Sequence, residues 1–198
     1  MKSFEIIYAL QTDTMIRLIW GVFLFGASIL DLLLRILDAG LLVFIPWVVA
    51  ITSALIIQES TDRYFPIQKQ FKEIKAKYNR HLRSIFLMVA IILITDIISE
   101  LAVLQMPAIA VLFAYTFYKM DENYYEYHSA VLKKNLRNFI PALLLISGAV
   151  NVVGHYLYSS IFWPYGFIFG IFFGGSMITV SFWNRRNIKQ YMSMVGEM

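Results

Sequence analysis

Residues 137–157, RNFIPALLLISGAVNVVGHYL, and 162–183, FWPYGFIFGIFFGGSMITVSFW, are two apolar runs separated by four residues. A helix crossing about 30 Å of hydrocarbon needs roughly 20 predominantly apolar residues, and each run meets that length. The stretch therefore predicts a hairpin of two membrane-spanning helices. Working outward, runs of the same kind lie at 17–36, 40–58, 83–99 and 102–119. An unbroken helix over 85–118 would be about 50 Å long at 1.5 Å per residue, too long for one bilayer. Thr95-Asp96, Ser99-Glu100 and Gln105-Met106-Pro107 therefore predict a tight turn near 100–106.

The fold class this implies is an all-α integral membrane protein, a six-helix transmembrane bundle built from three helical hairpins at 17–58, 83–119 and 137–183, within a single membrane domain covering 1–198. Composition agrees, since 59% of the 198 residues are hydrophobic and 15% charged, against about 25% charged in a soluble domain. Lipid is itself an apolar solvent for the outward faces of helices, so such a chain has no need to hide that surface in a core. Lys2 followed by the apolar run from Leu18 is compatible with a signal peptide. No A-x-A site follows, and Asp31-Leu-Leu-Leu-Arg35 continues the run, so the expectation is an uncleaved first helix.

Charge sets the expected orientation. Of the 17 Lys and Arg, only Arg35 falls on one side of these spans, the rest lying in the N-terminal stretch up to Arg17, in the 59–83 linker, from Lys119 to Arg137, and after the sixth span. The positive-inside rule places such segments in the cytoplasm, giving an N-in, C-in multi-pass protein of a cytoplasmic membrane, of bacterial type. Trp47, Trp163 and Tyr165 then sit near the outer interface, and Trp20 and Trp183 near the inner one. The net charge of +4 and pI near 9.2 are thus accounted for without nucleic acid as a partner. Within the linker, residues 66–83 (PIQKQFKEIKAKYNRHLR) read as a basic amphipathic helix with Phe71, Ile74 and Tyr78 on one face. That helix extends the third span, lies on anionic headgroups, or docks a partner.

The three hairpins look related. Ile16-Arg17, Leu82-Arg83 and Leu136-Arg137 open the odd spans; Asp31, Asp96 and Asn151 follow, then Arg35, Glu100 and His155; Pro46, Pro107 and Pro164 mark the even spans. The pattern is that of a pseudo-threefold repeat. The third hairpin, with its basic edge at Arg137, its glycines and its Trp163-Pro164 turn, resembles small repeat-built bacterial membrane proteins associated with acid stress, and short two-helix bacterial membrane modules. The resemblance covers about a quarter of the chain and implies no functional residue.

Ionisable groups inside a span are costly and need partners or water. Asp31, Arg35, Asp96, Glu100, Asn151 and His155 are the candidate binding residues, an outward-opening ring suited to a small polar or cationic ligand or to proton movement. The plainer alternative pairs Asp31 with Arg35 at i, i+4 and lets Glu100 and His155 reach the interface. Asp96 has only another acid at i+4 and so lacks a local counter-charge. Gly166, Gly170 and Gly174 repeat on one helix face and predict close packing against another helix, internal or in a second subunit.

Catalytic signatures are missing: the chain has no cysteine, no G-x-S-x-G, H-E-x-x-H, phosphate loop or dinucleotide fingerprint. His81, His128 and His155 share no ligand spacing, so neither metal nor cofactor is expected, nor an enzyme. The expected function is transport or small-ligand binding toward the outer leaflet. The first alternative is an assembly, sensor or immunity subunit that works through helix packing, a protein partner or homo-oligomer, and the basic linker; the more remote one is an intramembrane enzyme with Asp31 and Asp96 as an acid pair.

Overall fold

The computed structural model of the chain describes residues 2–64, 102–129, 131–158 and 165–196. They form five α-helices, α1 (Lys2–Ile36), α2 (Ile45–Tyr64), α3 (Ala102–Tyr127), α4 (Phe139–Tyr158) and α5 (Tyr165–Gly196), with short 3-10 turns at Gly40–Phe44 and Lys134–Asn138. The expected third span at 83–99, the 66–83 helix, and residues Asp96, Glu100, Trp163 and Pro164 lie outside the described residues.

The segments Leu10–Ile36, Leu136–Leu157 and Tyr165–Met194 are long and apolar enough to cross a membrane, and Ile45–Ser60 is a shorter apolar helix. Large apolar side chains face outward, among them Val22 at 54%, Val48 at 63%, Val153 at 56% and Leu157 at 70% exposure, while Arg17, Asp31, Asp121, Asn151 and Asn184 are buried. A water-soluble fold has the opposite pattern. With lipid outside, the outward side chains are solvated and the polar ones must find partners within the bundle.

The ends of the helices are written in the chain. At the close of α1, Asp38 takes a left-handed φ of 50°; its N–H donates to the Arg35 carbonyl at 3.1 Å, and that of Ala39 to the Leu34 carbonyl at 2.9 Å. This is the paired closure that satisfies the last carbonyls of a helix, and Asp is one of the few non-glycine residues that tolerates it. Pro46 and Pro141 stand in the first turns of α2 and α4, where no intrahelical N–H is lost.

Both long helices overrun the apolar runs that announced them. α1 begins at Lys2 rather than near 17 because Ile7, Leu10, Thr14 and Arg17 are buried at helical spacing. α5 continues past Trp183 because Asn184, Asn187 and Ile188 are likewise buried. At about 52 and 48 Å, each is longer than the hydrocarbon is thick.

α1 packs most extensively on α5, α3 on α4, and α1 and α5 also on α2 and α4 respectively. The α1–α5 contact is made by glycines. A Cβ on Gly174 would lie 2.7 Å from the Phe25 backbone nitrogen and 2.8 Å from the Gly21 carbonyl oxygen; one on Gly21 would lie 2.9 Å from the Gly174 carbonyl oxygen. Backbone therefore rests on backbone, and van der Waals contact is gained along the whole crossing. The main apolar core lies between α1, α3, α4 and α5, with Ala54 of α2 joining it, and Phe113 and Phe117 stand edge-on to Phe173 at centroid distances of 5.5 and 5.2 Å.

Candidate functional site

Two polar layers cross the bundle, separated along α1 by the fourteen residues from Arg17 to Asp31, about 21 Å. The layer at the Arg35 end holds four of the expected site residues. Asp31 is 1% exposed, and Arg35 Nε donates to both its oxygens, at 3.1 and 3.2 Å. The Asp31 carboxylate also lies over the first turn of α5: a Cβ on Gly166 would stand 2.9 Å from its Oδ2. Free backbone N–H groups at a helix start favour an anion there, and only a residue without a side chain lets the carboxylate in.

The same turn of α5 receives α4. Asn151, 1% exposed, donates to the Tyr165 carbonyl oxygen at 3.5 Å, and His155 Nδ1 bonds the Tyr165 hydroxyl. Trp47 of α2 closes the side, its ring within 3.5 Å of a Cβ placed on Gly166 and 2.6 Å of one on Gly170. Asp31 and Arg35 from α1, Asn151 and His155 from α4, and Trp47 from α2 thus converge on Tyr165-Gly166. Gly166, Gly170 and Gly174 face α1 and α2 within the chain. Asp96 and Glu100 lie outside the described residues.

The second layer was not anticipated. Arg17 donates to Asp121 at 2.7 Å and lies 3.6 Å from Asp13. Tyr125 and Asn184, both fully buried, bond each other at 3.2 Å. By sequence Arg17 is a basic residue at the edge of the first span, and nothing there marks Asp121 as its partner. The available signal was Asp13 placed four residues before Arg17 on one helix face. Near this layer, burial pushes the His128 imidazole down to about 4, against the opposing pull of Asp13.

The basic residues gather at this second end. Arg137 stacks over the Tyr118 ring at 5.2 Å, close to Glu122 at 4.0 Å, while Arg185 and Lys189 flank α1. The two ends differ chemically: one is basic, the other is a compact Asp-Arg-Asn-His cluster. Among the described residues no group of three or more His, Cys, Asp or Glu is placed to hold a metal. Compared with protein-family models, curated proteins and solved structures, the chain matches none.

Proposed function

We propose that this is a non-enzymatic, multi-pass protein of a bacterial cytoplasmic membrane. In this reading it has six spans in three hairpins and both termini in the cytoplasm, and it binds a small polar ligand from the outside in a transport-related role. The observation that carries it is the Asp31 carboxylate, buried at the first turn of α5 yet bonded to an Arg35 that is 37% exposed. A counter-ion that reaches solvent is exchangeable. A ligand bearing a cationic or donor group takes Arg35's place on Asp31, with Asn151, His155 and Tyr165 supplying further hydrogen-bonding groups. Asp96 and Glu100 join this site in the proposal on sequence spacing alone.

The bias of Lys and Arg to one end supports the orientation, because basic segments are retained in the cytoplasm. Against an interaction subunit working through its glycine face, the three glycines are occupied by α1 and α2. The test is a screen of small polar solutes added outside proteoliposomes, read as thermal stabilisation and as uptake. Under this reading a solute stabilises the wild type, and Asp31→Asn and Asn151→Ala remove the effect. Equal stabilisation of wild type and Asp31→Asn by every solute that binds would sink it.

A further inference from the structure

A cavity of about 270 Å³ opens between α1 and α5 on the flank of the basic end, with Gln11, Thr14, Met15, Phe182, Arg185 and Lys189 in its wall. From these residues we infer that the cavity is a specific site for the headgroup of an anionic phospholipid, the acyl chains running along the exposed apolar side chains beside it.

The argument begins with charge. Arg185 and Lys189 are one helical turn apart on α5, no Asp or Glu lines the cavity, and neither cation has an ion pair among the described residues. Two cations on one wall recognise a phosphate, Arg as a fork and Lys as a point charge. A second, independent feature points to a ligand. Thr14 is 5% exposed, and its hydroxyl is buried without a hydrogen-bond partner among the described residues, a condition that costs free energy unless something supplies an acceptor. Gln11 adds an amide on the same rim.

Depth selects lipid over a soluble phosphate. Arg185 is nineteen residues beyond Gly166 on one helix, about 29 Å, one hydrocarbon thickness from the Asp31 layer. Met15 at 54% and Phe182 at 57% exposure prolong the cavity as an apolar track toward the bilayer interior. A basic pocket between helices at headgroup level, continuous with an apolar track, fits an anionic lipid and not a free ion.

The test uses the whole chain purified in maltoside micelles, with dihexanoyl phosphatidylglycerol, dihexanoyl phosphatidylcholine and inorganic phosphate as separate ligands in calorimetric titrations. Phosphatidylglycerol binds, phosphatidylcholine binds at least tenfold more weakly, and phosphate neither binds nor competes. Arg185→Gln and Lys189→Gln each weaken binding about fivefold, from the usual contribution of one basic residue near an anionic surface. Thr14→Val, which keeps the shape and removes the hydroxyl, costs about fivefold as one lost hydrogen bond. Arg186→Gln, outside the cavity wall, leaves binding unchanged. Without ligand the three Arg and Lys variants match the wild type in melting temperature, and Thr14→Val melts no lower than it, since the variant has no hydroxyl left unsatisfied. Equal binding of phosphate makes this a soluble-anion site and overturns the inference. Equal losses in Arg186→Gln and Arg185→Gln reduce it to net charge and also overturn it.

Discussion

Arg17 and Asp121 are bonded at 2.7 Å although 104 residues separate them, and their side chains are 2% and 0% exposed. The bond ties α1 to α3 at the basic end of the bundle. Removing one partner strands a buried charge, which costs about 3–5 kcal/mol. Arg17→Met, which leaves Asp121 buried without this cation, should lower unfolding stability in mixed micelles by that amount; Asp121→Leu should cost less, because Asp13 still lies 3.6 Å from Arg17. The double replacement removes both charges and should recover most of the loss. Losses that simply add in the double variant would mean that the pair is not coupled.

At the α1–α5 crossing, glycine positions separate into two kinds. Gly174→Ala sets a methyl 2.7 Å from backbone that has no room to yield, and overpacking of this sort costs about 1–3 kcal/mol. Gly175→Ala and Gly26→Ala meet nothing within 4 Å, and should gain up to about 1 kcal/mol through helix propensity. Melting temperatures of the three variants check the contrast.

The lowered His128 imidazole gives a pH dependence. In the folded chain it titrates near 4, against 6.5 for the free group, so between these values the unfolded chain holds the extra proton. Stability is complete above about 6.5 and falls as pH drops through this window, by at most about 1.4 kcal/mol per pH unit. His128→Gln should flatten that part of the stability profile. An unchanged slope in the variant would assign it to carboxylates instead.

Trp20 donates its indole N–H to the Gln58 side chain at 2.9 Å, joining α1 to α2. Gln58→Leu should cost about 1 kcal/mol and shift the Trp20 emission to shorter wavelength. The shift is to be read with the other three tryptophans replaced by phenylalanine.

Apolar run length made the helices legible. The stretches at 17–36 and 102–119 fall wholly on α-helices, those at 40–58 and 137–157 do so after opening in 3-10 turns, 162–183 does so from Tyr165 on, and Pro46 and Pro141 stand where helices begin. Full helix lengths were not legible. The first fifteen residues of α1 and the last thirteen of α5 carry too many polar groups to register as a span, and their apolar stripe acquires meaning only when each helix has the other to pack against. The Arg17–Asp121 bond was hidden for a related reason: a basic residue beside an apolar run has the same appearance at an interface as inside a bundle. For Asp31, Arg35, Asn151 and His155, spacing gave a common level along the helices. That they meet on Tyr165-Gly166 depends on which faces the helices turn inward, which no single sequence states.

The account rests on the Asp31–Arg35 end of the bundle facing outward. The chain contains no cysteine, so single cysteines report sidedness without a background. Leu37→Cys, at a position 75% exposed beside that end, and Met194→Cys, at a position 58% exposed near the other, are to be treated in intact cells with a membrane-impermeant maleimide. The account predicts that Leu37→Cys is labelled at once and Met194→Cys only after the cells are opened. Labelling of Met194→Cys in intact cells, with Leu37→Cys protected, would turn the site toward the cytoplasm and contradict it.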